Sequence, residues 1–131
     1  MDEKEVCRPR VVAVDDDAGF LMLIRRWLES KYEVTTLTGG GDAGAEIAAL
    51  DPDLLIMDVH MPERGGFQLS RQLRTQTGFE DLPVIFLTGS KSDRDFLLYL
   101  DFAGCRYMTK PVSGQELREA VAEELGLQMV G

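Results

Sequence analysis

The sequence predicts an α/β fold: a parallel sheet with helices on both faces. Three observations carry that reading. Short apolar or β-branched runs alternate with segments of helical periodicity, five of each within 131 residues. Two of the runs, "LLIM" (54–57) and "VIFL" (84–87), are apolar on both faces, as strands covered from both sides require. There is no internal repeat and no linker, so one core and a single domain over 1–131 are expected, with the folded part at about 10–125.

In chain order, the apolar run 11–14 predicts the first strand. Phe20, Leu23, Ile24, Trp27 and Leu28 then recur at helical spacing and predict a helix over 18–31. "EVTTL" (33–37) is β-branched and strand-like, and "TGGG" (38–41) is a loop. A helix from 42 to about 50 builds its inner face on Ala43, Ile47 and Leu50, and "DPD" (51–53) breaks it. After the central run 54–57, "MPERGG" (61–66) is a loop, and 66–76 predicts a third helix with Phe67, Leu69 and Leu73 inside. Pro83 leads into the run 84–87. Ser92 is the expected N-cap of a fourth helix ended by Gly104, "RYMT" (106–109) is a fifth strand, and Ser113 with Glu116 forms a capping-box pattern. That box opens a last helix with Leu117, Ala120, Val121 and Leu125, stopped by Gly126.

Composition narrows the function classes. Apolar residues make up 44% of the chain, enough for a core, yet no apolar run approaches the ~20 residues that span a bilayer. "MDEKEVCRPR" has no apolar stretch of the kind a signal peptide needs. A formal net charge of −9 argues against direct nucleic-acid binding. Two cysteines, Cys7 and Cys105, favour a reduced, cytoplasmic chain over a disulfide scaffold, and a single histidine, His60, excludes a multi-histidine zinc site. "TGGGDAG" (38–44) lacks the ending of a phosphate-binding P-loop and reads as a turn.

The informative positions follow the strands. In open α/β sheets, sites form outside the carboxyl ends of the strands. There the sequence puts Asp15, Asp16 and Asp17 after the first strand, Asp58 after the third, Thr88 after the fourth and Lys110 after the fifth. Clustered carboxylates without cysteine suit a hard, oxygen-preferring cation such as Mg²⁺. A cation, an ammonium and a hydroxyl together make a pocket for a phosphoryl group, within which an aspartate can act as nucleophile. Each residue also has a plainer account. The three acids alone make a solvated turn and a helix cap, Lys110 a surface lysine, and Tyr107 a half-buried strand residue. Asp17 keeps the cap role, while Met57 and Met61 are core filler.

Taken together, "VVAVDDDAGF", "PDLLIMDVHMPERGGFQL", "PVIFLTGS" and "YMTKP" resemble the receiver domain of two-component response regulators, of the chemotaxis-receiver type. The resemblance implies a flavodoxin-like, doubly wound (βα)5 fold with a five-stranded parallel sheet of order 2-1-3-4-5. It implies that Asp58 is the phosphoacceptor, and that Asp15, Asp16, Asp58 and the backbone carbonyl of His60 hold Mg²⁺ (or Mn²⁺). Thr88 and Lys110 would contact the phosphoryl group, Tyr107 would be the aromatic switch, and Pro111 would follow a cis peptide bond. His60 and Ser90 occupy positions that tune acyl-phosphate hydrolysis. The implied protein is a phosphorylation switch rather than an enzyme, although it would catalyse its own phosphorylation and slow dephosphorylation. Its implied partners are a sensor histidine kinase or phosphotransfer protein and a downstream protein or effector. The responsive face would be the fourth helix, fifth strand and fifth helix, where Phe96, Tyr99 and Phe102 form an aromatic ridge that could also serve a homodimer.

Three other functions compete. A phosphatase of the haloacid-dehalogenase type needs an acid two residues after its nucleophile, where this chain has His60. A flavodoxin-like electron carrier needs phosphate donors where this chain has acids. A pure interaction module would leave the competent residues at every matching position without a use.

Overall fold

The computed structural model describes residues 8–39, 43–59, 66–89 and 105–127. Within them lie β1 (Arg10–Val14), α1 (Ala18–Leu28), β2 (Glu33–Leu37), α2 (Ala43–Leu50), β3 (Leu54–Asp58), α3 (Gly66–Arg74), β4 (Val84–Thr88), β5 (Cys105–Thr109) and α4 (Gly114–Glu124). The expected fourth helix, with its cap Ser92 and aromatic ridge, lies outside the described residues; α4 is the last helix read from the sequence. All strand pairs are parallel, in the order β2-β1-β3-β4-β5. Both central strands, β3 and β4, are buried along their whole length, which is why they carry no polar alternation.

Two apolar layers enclose the sheet. On one face Leu21, Ile24 and Leu28 of α1 and Leu117, Ala120 and Val121 of α4 pack on Val11, Ala13, Leu54, Ile56, Ile85 and Leu87. On the other, Ala43 and Ile47 of α2 and Leu69 and Leu73 of α3 pack on Val12, Val14, Leu55, Met57, Val84 and Phe86. Odd and even strand residues divide between the layers, as the two-residue strand period demands.

The helix ends explain most of the differences from the sequence reading. Helix α1 stops at Leu28 rather than 31, because the chain tightens through Lys31 N–H→Leu28 O and Tyr32 N–H→Leu28 O to bury Tyr32. The helix is also turned so that Leu21 faces inward and Leu23 is 44% exposed, the reverse of the expected stripe at those two positions. Phe20 and Trp27 line the margin of the layer. Helix α3 ends at Arg74, and tighter turns through Thr75 and Gln76 continue it. Asp51 ends α2 with a φ of 52°, a left-handed conformation that aspartate tolerates better than most residues. Gly126, at φ 73°, closes α4 in a Schellman arrangement, with Gly126 N–H→Glu123 O and Leu127 N–H→Ala122 O. The Ser113–Glu116 capping box is complete in both directions.

Gly114 begins α4 against the ring of Trp27. A Cβ there would lie 2.7–2.9 Å from three ring atoms. Substituting Gly114→Ala is expected to lower stability by about 1–2 kcal/mol, since overpacking outweighs the helix-propensity gain. Urea unfolding followed by Trp27 fluorescence measures it.

Candidate functional site

The register decides which side chains meet. Val14 of β1 pairs with Met57 of β3, so Asp15 and Asp58 follow at the same level on neighbouring strands. Asp58 lies beside Leu87 and Thr88 beside Thr109, which brings Thr88 and then Lys110 to the same edge. Alternation along each strand assigns the faces. Asp15 continues the parity of Val11 and Ala13, Asp58 that of Leu54 and Ile56, and Lys110 that of Met108, all on the α1/α4 side. Thr88 and Tyr107 share the α2/α3 side with Phe86. The charged groups thus occupy one face of the edge, and the hydroxyl and ring the other.

The charged half is dense. Asp15 is 1% exposed and Asp58 7%, while Asp16 is exposed. One carboxylate oxygen from each of the three lies within 4.8 Å of the other two. Asp15 Oδ1 accepts the backbone N–H of Asp17 at 2.9 Å, and its Oδ2 accepts from Lys110 Nζ, also at 2.9 Å. The same ammonium stands 3.6 Å from Asp58 Oδ1. Burial pulls the pKa of Lys110 down. The hydrogen bond and charge of Asp15, with a smaller contribution from Asp58, more than reverse this, so it lies above the ordinary lysine value. One ammonium facing three formal negative charges leaves the cluster acidic, and its oxygen-only donors suit a hard divalent cation.

Other groups frame this cluster. Asp17 is the N-cap of α1, accepting the Phe20 N–H at 3.2 Å, as the sequence reading had it. On the opposite face Thr88 is fully buried, and Tyr107 stacks on Phe86 with ring centroids 5.7 Å apart. The Lys110–Pro111 peptide is cis, and the Lys110 N–H bonds to Thr88 O at 2.7 Å. His60 and Ser90 lie outside the described residues. Burial pushes the Cys105 thiol up to about 11, against a lowering by Arg74, so it is a protonated, poor nucleophile near neutral pH. Sequence reasoning missed one neighbour. Phe20, read as an ordinary stripe residue, places its ring centroid 4.8 Å from Lys110 Nζ. Its one signal was its place in the first turn after the aspartates.

Comparison with known proteins identifies the class. The chain belongs to the response regulator receiver domain family, whose model matches residues 11–122. It is 33% identical over 113 residues to the alkaline phosphatase synthesis transcriptional regulatory protein PhoP of Bacillus subtilis (strain 168), covering 86% of this chain and 46% of that protein. It is 29% identical over 124 residues to the sensor histidine kinase TmoS of Ectopseudomonas mendocina, covering 95% of this chain and 13% of that one. The chain therefore spans about half the length, or less, of these relatives. Among solved structures, chemotaxis protein CheY4 of Vibrio cholerae matches with a TM-score of 0.80 at 25% identity, over 89% of this chain and 98% of that one. A CheY-like receiver domain protein of Methanospirillum hungatei JF-1 matches at 0.79 and 28%, over 91% and 94%. The family is a phosphoacceptor switch in two-component signalling rather than a classical enzyme.

Removing the ammonium strands Asp15 and Asp58 in a poorly hydrated place. Lys110→Met is expected to lower stability by about 3 kcal/mol at neutral pH without divalent cations, as broken buried pairs do. Because the folded-state pKa of Lys110 is raised, its contribution is fully present below the ordinary lysine value and is lost as pH rises past it. Urea titrations of both proteins at pH 7 and in the alkaline range check the size and the sign.

Proposed function

We propose that the chain is a single receiver unit that takes a phosphoryl group on Asp58 from a histidine kinase or phosphotransfer protein and signals through a changed protein-binding face. The observation that carries this reading is the position of Lys110 Nζ, 3.6 Å from Asp58 Oδ1 beside an acidic cluster one divalent cation would fit. Asp58 attacks the phosphorus of the donor. A P–O bond to its carboxylate forms, the bond to the donor breaks, and the leaving group keeps that electron pair. Lys110 neutralises charge on the transferring group, and the Thr88 hydroxyl donates to a phosphoryl oxygen once it is attached. Asp15, Asp16, Asp58 and the backbone carbonyl of His60 would hold Mg²⁺ or Mn²⁺, which when bound supplies positive charge to the phosphoryl oxygens.

The switch follows from the division of the edge into two faces. Movement of Thr88 toward the phosphoryl group opens space beside Tyr107, on the same side of the sheet, so the ring moves inward. The responsive face includes β5 and α4, tied together by Arg106 with Glu123 at 2.6 Å and Glu124 at 3.0 Å. Its partner is a downstream protein, an effector domain or a second copy of the chain, and neither nucleic acid nor membrane is bound directly. Homology to part of a sensor histidine kinase and to transcriptional regulatory proteins supports a place between kinase and effector. The proposed exchange with a histidine kinase places the unit in the cytoplasm; among the described residues no helix is long and apolar enough to cross a membrane.

With acetyl phosphate and Mg²⁺, intact-mass spectrometry is expected to find one added phosphoryl group on the wild type and none on Asp58→Asn. No addition to the wild type, or equal addition to both, rules the reading out. Chelation of Mg²⁺ abolishes the reaction. His60→Ala leaves the uptake and changes the decay half-life of the acyl phosphate; an unchanged half-life removes His60 from the tuning role.

A further inference from the structure

The Lys110 ammonium has a third neighbour besides its two carboxylates. Phe20 presents its ring with the centroid 4.8 Å from Nζ, inside the range in which a ring face attracts a cation. We propose that Phe20 is a positioning residue for Lys110, its ring face holding the ammonium where it can serve both Asp15 and Asp58. The proposal rests on the phosphoacceptor reading of Asp58 and adds to it a specific determinant on α1.

The ring is itself held on two sides. Its backbone N–H donates to the Asp17 cap at 3.2 Å, which ties the ring to the start of α1. Trp27, two turns on, meets it edge-on, with centroids 6.3 Å apart and planes at 81°. Trp27 in turn lies against Gly114, where no side chain competes for the space. A fixed row therefore runs from the start of α4 through Trp27 and Phe20 to the ammonium. Lysine needs such support more than arginine does, because its four-carbon stem is flexible and its charge is a point. Asp15 alone, at 2.9 Å, would draw the ammonium to itself. A neutral attraction from the ring restrains it without adding a fourth charge to the cluster. Leucine at position 20 would cover the same apolar margin but has no quadrupole, so packing and positioning can be separated.

The test compares wild type, Phe20→Leu and Phe20→Tyr, with Phe20→Met as a second apolar variant should Phe20→Leu fold poorly. In Mg²⁺-free protein, NMR of the Lys110 ε-methylene group is expected to show an upfield ring-current shift in wild type and Phe20→Tyr that is lost in the apolar variants. With acetyl phosphate and Mg²⁺, the saturating rate of Asp58 phosphorylation is expected to fall about three- to tenfold in the apolar variants and to recover in Phe20→Tyr. The donor concentration for half-maximal rate should change less than about twofold, since a positioning loss acts on the transfer step. A wild-type rate in Phe20→Leu, a Phe20→Tyr as slow as Phe20→Leu, or an ε-methylene shift that survives in the apolar variants overturns the role of Phe20. A wild type that takes no phosphoryl group overturns the phosphoacceptor reading instead.

Discussion

The ion pair between Lys110 and Asp15 joins residues 95 positions apart in the chain, and the rest of the site depends on it. For it to form, β1 and β5 must lie in one sheet, run in one direction, and end level with β3 and β4 between them. A slip of one residue in β1 or β5 would turn one partner to the opposite face. The pair also shares its ammonium with Asp58, so the same register that closes it sets the surroundings of that acid. Its net contribution to stability is limited, because an acid 1% exposed has lost most of its hydration. Its larger effect is on arrangement: it holds a cation beside carboxylates that would otherwise face one another unscreened.

Strand alternation divides the edge into a charged half and a half made of a hydroxyl and an aromatic ring. Asp15, Asp58 and Lys110 lie above the α1/α4 layer, Thr88 and Tyr107 above the α2/α3 layer. Asp58 and Thr88 thus stand on opposite faces of neighbouring strands at one edge of the sheet. Tyr107 stacks on Phe86 in the second half, and Arg106 on the same strand pairs with Glu123 of α4. The proposed switch needs a second discrete arrangement of this stack rather than a continuous deformation.

Most of the fold and the charged half of the site could be read in the residues. Apolar runs such as "LLIM" identified the central strands because burial on both faces leaves no polar alternation to confuse with a helix. The Ser113–Glu116 box and the Asp17 cap were readable because capping is a local interaction over three residues. Strand order was less accessible. Nothing local distinguishes 2-1-3-4-5 from other parallel orders, so it rested on the resemblance. Helical periodicity marked α1 but missed its rotation, since Leu21 and Leu23 are equally apolar and tertiary packing alone chooses between them. Phe20 went unnoticed as a site residue for a related reason: its partner Lys110 is 90 positions away, and only the sheet brings them together.

The imbalance of the cluster bears on why it persists. Three carboxylates with one ammonium are a poor way to stabilise a folded chain, and an apolar edge would serve stability better. The chain limits the penalty unevenly. Asp15 is buried but has both oxygens occupied, one by the Asp17 N–H and one by Lys110. Asp16 keeps its hydration by remaining exposed. Asp58 is 7% exposed, and its contact with Lys110 is the longer one, at 3.6 Å. Of the two acids that share the ammonium, Asp58 is thus the one held less tightly. Any cation that binds among the three draws on repulsion already present in the resting fold. The same charges that weaken the free domain therefore favour a cation-bound state, in which the repulsion among Asp15, Asp16 and Asp58 is screened.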